Sequence, residues 1–196
     1  VTGFVDAKKS LKRSNAKLGD VIFVSGNLGD ARLGLESVLG NVALANADIN
    51  HYFINRLNRP EAKICIGQLL TKYSVAAIDL SDGLLADLKH ICTASSTGAV
   101  IHLDKIPLSK QLLNYYSNNV DWAMICNAGD DYELCFTCPP EDVDAMLNAL
   151  KEHNIQVFPI GEITNSGNVI CYLNDNVYSQ IGSGYNHFSG DKSSDL

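Results

Sequence analysis

The sequence predicts an α+β domain in which a mixed β-sheet is flanked by α-helices. Strand-like apolar runs and amphipathic helical stretches are interleaved along the whole chain. Hairpin-like pieces gather towards its end, which a purely doubly wound parallel sheet does not contain. The 196 residues, 46% hydrophobic and 19% charged, suffice for one good core and leave little room for a second. Residues 1–188 are accordingly expected to form one domain, followed by a polar tail, S-G-D-K-S-S-D-L, at 189–196.

The first nineteen residues are polar and basic, with Lys8, Lys9, Lys12, Arg13 and Lys17 close together, and read as a solvated arm. Leu18-Gly19-Asp20 is a turn, and V-I-F-V-S after it suits a buried strand. Gly26 to Asp30 leads into an amphipathic helix ending near Gly40. A strand, a glycine turn and a helix start can hold a phosphate, but this spacing matches neither the dinucleotide fingerprint nor a P-loop, so Asp30 is read as a helix-start residue. From Val42 to Arg59 helical signals are broken by Asn and Asp. Pro60 suits the first turn of a helix that continues to Tyr73. S-V-A-A-I-D then reads as the central strand of the sheet.

After Gly83, Leu84, Leu85, Leu88 and Ile91 make a core-facing helical stripe, with His90 on the same helix as a structural or solvated residue. The S-S-T-G turn at 95–98 precedes an alternating strand from Ala99 to Leu103. Pro107 and Ser109 open a helix through Leu112, Leu113 and Tyr116. A glycine turn with adjacent Asp130 and Asp131 leads into a strand, which Pro139-Pro140 ends. A capped amphipathic helix covers Glu141 to His153. Strands at 156–160 and 169–173 follow, with N-S-G between them read as a hairpin turn.

A net charge of −7 argues against sequence-independent nucleic-acid binding, which draws on clustered Lys and Arg. It leaves room for a phosphorylated small molecule, because metal ions can sit between carboxylates and phosphates. No apolar run approaches the roughly 20 residues that span a bilayer and no leader precedes the first strand, so no membrane partner and a cytoplasmic location are expected. The six cysteines are read as free thiols. Cys135 and Cys138 have the spacing of a redox or zinc motif, but they lie in Y-E-L-C-F-T-C, where residues three apart on a strand point to opposite faces. The chain starts on Val1 rather than Met, as a processed protein or a fragment would.

The chemically densest stretch is A-A-I-D-L-S-D-G-L-L-A-D-L-K-H, 76–90. A carboxylate at the end of an apolar strand, Asp79, is costly without a partner. Asp82 suits a helix start, where the dipole favours an acid, and Ser81 between them can donate to a phosphate oxygen. Two carboxylates from one turn suit a hard cation such as Mg²⁺. From the residue types alone, capping and metal binding remain evenly balanced.

Several motifs in order narrow the choice. L-K-R-S-N-A-K-L-G-D, G-D-V-I-F-V-S-G-N-L-G-D-A, I-D-L-S-D-G-L-L-A-D-L-K-H-I, A-G-D-D-Y-E-L-C-F-T and G-Y-N-H-F together resemble thiamine-monophosphate kinase, across Val1 to Phe188. The resemblance implies a domain like the C-terminal domain of AIR synthase. It also implies ATP- and Mg²⁺-dependent phosphorylation of thiamine monophosphate to thiamine diphosphate, with ATP as co-substrate. In that family a preceding aspartate-rich domain supplies most of the Mg²⁺ ligands, much of the nucleotide site and the homodimer interface. This chain resembles only the C-terminal part, and alone it is expected to be inactive.

Carried over by motif, Asp79 and Asp82 would be metal ligands, while Ser81 and Arg13 would contact ATP, Arg13 matching the arginine of R-S-G-A although Asn15 replaces the glycine. Asp130 would help to hold thiamine monophosphate, in a motif that usually reads G-G-E-D-Y-E-L and departs here at Ala128 and Asp130; Asp131 would share that role. Tyr185 stands where an aromatic packs on the thiamine rings. No covalent nucleophile is implied, since phosphoryl transfer depends on positioning and charge neutralisation. The alternatives are a related synthetase of the same superfamily, which would carry other residues in place of S-D-G-L, or a nucleotide-binding module without catalysis.

Overall fold

The structure is a computed structural model that describes residues 4–7, 9–73, 75–117 and 119–181. In chain order its elements are β1 (Val21–Val24), α1 (Asp30–Val38), α2 (Ala47–Asn58), α3 (Ile64–Leu70), β2 (Ala77–Asp79), α4 (Leu84–Ser95), β3 (Gly98–His102), α5 (Lys110–Tyr116), α6 (Trp122–Asn127), β4 (Leu134–Cys138), α7 (Val143–Glu152), β5 (Phe158–Thr164), β6 (Val169–Leu173) and β7 (Asn176–Val177). Among the described residues seven strands form one sheet in the order β2-β4-β1-β5-β3-β6-β7. All neighbours are antiparallel except β3 and β6, so the sheet is mixed, as expected.

Strand alternation sends successive side chains to two cores, one on each face. Ile22 and Val24 of β1 join a large cluster with Leu33, Phe53, Leu84, Leu88, Ile91, Leu112 and Ile125, so that α1, α2, α4, α5 and α6 contribute to one face. Phe23 points the other way and stacks on Phe136 with ring centroids 5.4 Å apart. That second cluster is completed by Ile66, Leu69 and Leu70 of α3 and by Met146 and Leu150 of α7. The two cysteines of β4 separate in the same manner: Cys135 lies in the first core and Cys138 in the second. All six thiols are free, five are buried, and burial pushes the Cys138 thiol up to about 12.

Several local expectations are corrected. The S-V-A-A-I-D segment gives a three-residue strand at the sheet edge, paired among the described strands only with β4, rather than a central strand. Its apolar character comes from burial: Val75, Ala76 and Ile78 are shared between the two cores. Residues 60–63 precede the helix instead of opening it, since α3 starts at Ile64. Asn46 starts α2 rather than breaking it, accepting a hydrogen bond from the Ile49 N–H at 2.9 Å. The helix expected from Glu141 is α7, which follows a 3-10 turn at Pro140–Asp142 and has no side-chain cap.

Asn165-Ser-Gly is not a hairpin turn. Strands β5 and β6 lie on opposite sides of β3, antiparallel and parallel to it. The connection passes over the start of β3, where Gly98 leaves room that a side chain would take from Ser166. The basic arm is also less free than its charge suggests. Arg13–Asn15 form a 3-10 turn against α4, where the Ser95 hydroxyl donates to the Arg13 carbonyl at 2.8 Å and accepts from the Ala16 N–H at 3.2 Å.

Candidate functional site

Beyond β2 the chain stays laced to the segment that precedes β4. The Leu80 N–H donates to the Glu133 carbonyl at 2.7 Å, the Tyr132 N–H to the Leu80 carbonyl at 2.9 Å, and the Asp130 N–H to the Ser81 carbonyl at 3.2 Å. This ladder brings the Asp79–Asp82 turn and the 129–133 loop together. Gly129 permits it, because a Cβ there would collide with the Ser81 carbonyl oxygen. Gly83, rather than Asp82, occupies the N-cap position of α4.

One carboxylate organises the turn from beneath. Asp87, 2% exposed on the core-facing side of α4, accepts from the Ser81 N–H at 2.9 Å and the Asp82 N–H at 3.0 Å through the same oxygen. Its pKa is raised, first by burial, and further by the charges of Asp82 and Asp79; the two backbone donors oppose the shift. Asp79 is exposed, while Ser81 and Asp82 are half-buried. Ligand atoms of Asp82, Asp87 and His90 lie within 4.8 Å of one another. His90, read as structural or solvated, thus stands beside the acidic turn.

A cavity of about 630 Å³ opens beside this turn, between the 11–13 segment, the approach to α3 and the edge of the sheet. Its lining includes Arg13, Lys63, Ile64, Asp79 and Tyr132. Arg13 and Asp79, sixty-odd positions apart in sequence, therefore face one space.

The loop's two other acids turn inward. Asp131, 5% exposed, accepts from the Gly29 N–H at 2.8 Å and the Ala31 N–H at 3.3 Å. It occupies the N-terminus of α1, so the strand-turn-helix that resembled a phosphate site is filled by the chain's own carboxylate. Both Asp131 oxygens are thus engaged by backbone N–H groups of the chain itself. Burial raises its pKa to about 7, against the pull of those two donors. Glu133, 2% exposed, accepts from the Ser25 hydroxyl at 2.6 Å and pairs with Lys63 at 3.2 Å and Arg56 at 3.3 Å. Arg56 also reaches Asp30 at 3.7 Å, whose carboxylate accepts from Ser109 at 2.6 Å and Tyr52 at 2.8 Å. Asp30 is thus the helix-start residue expected, buried within an ionic network.

The sequence matches the family model described as AIR synthase related protein, C-terminal domain, over residues 17–174. The chain belongs to this family. Within it, the chain is similar to the thiamine-monophosphate kinase of Buchnera aphidicola subsp. Acyrthosiphon pisum, 42% identical over 164 residues, covering 83% of this chain and 50% of the relative. Among solved structures it is similar to thiamine-monophosphate kinase from Stenotrophomonas maltophilia K279a, with TM-score 0.77 and 34% identity over 89% of this chain and 56% of that one. It is also similar to AaThiL complexed with AMPPCP and TMP, with TM-score 0.74 and 31% identity over 91% of this chain and 54% of that one. The chain spans about half the length of the relatives it matches.

Of the residues singled out from sequence, this AIR synthase related domain gathers Asp79, Ser81, Asp82 and Asp130 at one laced turn and sets Arg13 on the wall of the adjoining cavity. Asp130 holds a left-handed backbone, φ 71°. Tyr185 lies outside the described residues. Sequence reasoning passed over Asp87, Lys63 and Glu133. For Asp87 the signal was present: an acid inside the Leu84, Leu88, Ile91 stripe must find partners. Lys63 and Glu133 left no such mark, because their pairing spans the sheet edge.

Proposed function

We propose that this chain is the C-terminal domain of an ATP-dependent thiamine-monophosphate kinase, a phosphotransferase whose acceptor is itself a phosphate group. The observation that carries the reading is the acidic turn at the end of β2, laced to the Asp130 loop and opening with Arg13 onto one cavity. The relatives named above support it, as does the likeness to a structure complexed with AMPPCP and TMP.

In the proposed reaction a phosphate oxygen of thiamine monophosphate attacks the γ-phosphorus of ATP, and ADP departs with the bridging oxygen. No side chain needs to become covalent. Arg13 and Ser81 contact ATP; Asp130 helps to hold thiamine monophosphate, and Tyr185 packs on its rings. Mg²⁺ fits the donor set, because Asp79 and Asp82 offer hard oxygen ligands from one turn whose backbone Asp87 fixes. When bound, the ion neutralises phosphate charge as the two anions approach. Asp87 keeps the turn in place from the core side, and Gly129 keeps the Asp130 loop against it.

Residues 1–188 form the domain and 189–196 a polar tail. An N-terminal domain completes the metal and nucleotide site, the full-length protein is a cytoplasmic homodimer, and these 196 residues alone turn over no ATP. Among the described residues no helix is long and apolar enough to cross a membrane.

The test is a coupled ADP assay on the full-length protein with Asp79→Asn and Asp82→Asn together. The expected result is a loss of about a hundredfold or more in kcat, the range in which removing a charge-stabilising group falls. Wild-type turnover by this variant would remove the metal role, and turnover by the 196 residues alone would remove the need for another domain.

A further inference from the structure

We infer that the cavity beside the acidic turn receives the flat heteroaromatic end of a phosphorylated ligand, with the ring of Tyr132 as its stacking face. The inference rests on the kinase reading and deepens it by adding a binding residue.

Tyr132 is displayed by the residues on either side of it. Asp131 is buried against the N-terminus of α1, and Glu133 is buried against Ser25, Arg56 and Lys63. With both neighbours fixed inward, the tyrosine is turned outward and is 40% exposed on the cavity wall. Its backbone sits in the left-handed region, φ 50°, which a bulky L-residue adopts under strain, and the N–H bond to the Leu80 carbonyl holds it there. A strained backbone that presents an aromatic ring to a cavity beside a proposed reaction centre is more than core packing requires.

The rest of the wall fits the same ligand. Leu11 and Ile64 add apolar surface, Ile64 being exposed, while Arg13 and Asp79 give the cavity a polar side. The volume, about 630 Å³, falls within the few hundred to one thousand Å³ of small-molecule sites. A ligand with a heteroaromatic ring at one end and phosphate at the other matches that division. Both ATP and thiamine monophosphate have this shape, and a tyrosine face suits a purine as well as a cationic thiazolium.

The experiment uses the full-length protein and the variants Tyr132→Phe, Tyr132→Ala and Tyr132→Asn, with Tyr115→Ala as a comparably exposed tyrosine outside the cavity. Calorimetry measures binding of Mg–AMPPCP and of thiamine monophosphate separately, the ADP assay gives KM and kcat, and thermal melting reports stability. Stacking lost on alanine substitution predicts roughly tenfold or weaker binding for one of the two ligands, with kcat little changed. The ligand affected identifies which ring the cavity takes. Tyr132→Phe should retain wild-type affinity. Asn tolerates the left-handed backbone, so Tyr132→Asn should bind as weakly as the alanine variant while melting at or above the wild-type temperature. Unchanged affinity for both ligands in Ala and Asn variants would overturn the inference, as would a Phe variant as weak as Ala. A lower melting temperature with unchanged affinity would make the ring a packing element. A wild-type protein that binds neither ligand would overturn the kinase reading itself, and this inference with it.

Discussion

Replacing Asp87 tests whether the acidic turn is held from below. In Asp87→Ala the Ser81 and Asp82 N–H groups lose a shared acceptor at 2.9 and 3.0 Å. Hydrogen bonds to a charged partner contribute about 1.5–3 kcal/mol each. The two residues are half-buried, so water reaches the vacated donors and the lower end applies, giving a loss of about 3 kcal/mol for the two bonds. Against this stands relief of a buried carboxylate repelled by Asp82 and Asp79, which brings the net expectation to about 2 kcal/mol. Asp87→Asn keeps an oxygen acceptor without the charge and should cost about 1 kcal/mol or less.

The pH dependence supplies a second measurement. Because the folded pKa of Asp87 is raised, the folded state binds the proton more tightly than the unfolded chain. Its contribution is most favourable below the ordinary value of 3.8, declines as pH rises through the raised value and is constant above it. The Asn variant lacks this decline, so its deficit relative to wild type should shrink between pH 4 and pH 7. Urea unfolding of both variants at the two pH values reads all of this. A deficit below about 0.5 kcal/mol for Asp87→Ala, within the scatter of surface substitutions, would refute the account. So would an Asn deficit that does not change with pH.

Other outcomes follow from the ionic network. Glu133→Gln leaves Lys63 and Arg56 facing a neutral amide and should destabilise by about 3 kcal/mol in urea unfolding, as broken buried pairs do; a cost under about 1 kcal/mol would show that the pair is dispensable. Asp131, with its pKa raised to about 7, makes the wild-type protein lose stability as pH rises from 4 to 7. Asp131→Asn should flatten that part of the melting-temperature profile, and an unaltered slope would assign it to other acids. Native protein should react quickly with a thiol reagent at the exposed Cys65 and slowly at the five buried cysteines. Equal rates at Cys135 and Cys65 would contradict the burial. Gly129→Ala should detach the Asp130 loop from Ser81, read as accelerated amide exchange at Asp130 and Tyr132.

What the sequence disclosed was local chemistry. V-I-F-V at β1, the Leu84–Ile91 stripe and the separation of Cys135 from Cys138 all follow from periodicity, and each is found as expected. The Asp79–Asp82 turn is legible because Asp79, Ser81, Asp82 and Gly83 interrupt an apolar context. Lateral strand order is not legible: an edge strand covered on both faces, as β2 is, has the composition of a central one. The 165–167 turn carried hairpin chemistry, yet nothing local announces that β3 lies between the strands it joins. Asp131 looked like a neighbour of Asp130 with similar duties, whereas the helix end that claims it lies about a hundred positions away. Long-range partners decide such cases.

The sheet order also bears on how the chain reaches its native state. Among the described strands only β6 and β7 are neighbours in both sequence and space; every other adjacent pair is brought together from distant parts of the chain. Such high contact order slows folding, since each pairing must first close a long loop. During synthesis β1 and β3 emerge early with both edges bare; β1 acquires one of its two partners, and β3 both of its own, only when Phe158–Leu173 has been made. A nascent chain stopped before that point carries unpaired apolar strands that invite association with other chains. The lateral placement of β5 and β6 thus makes the last third of the domain the step on which solubility of the first two thirds depends.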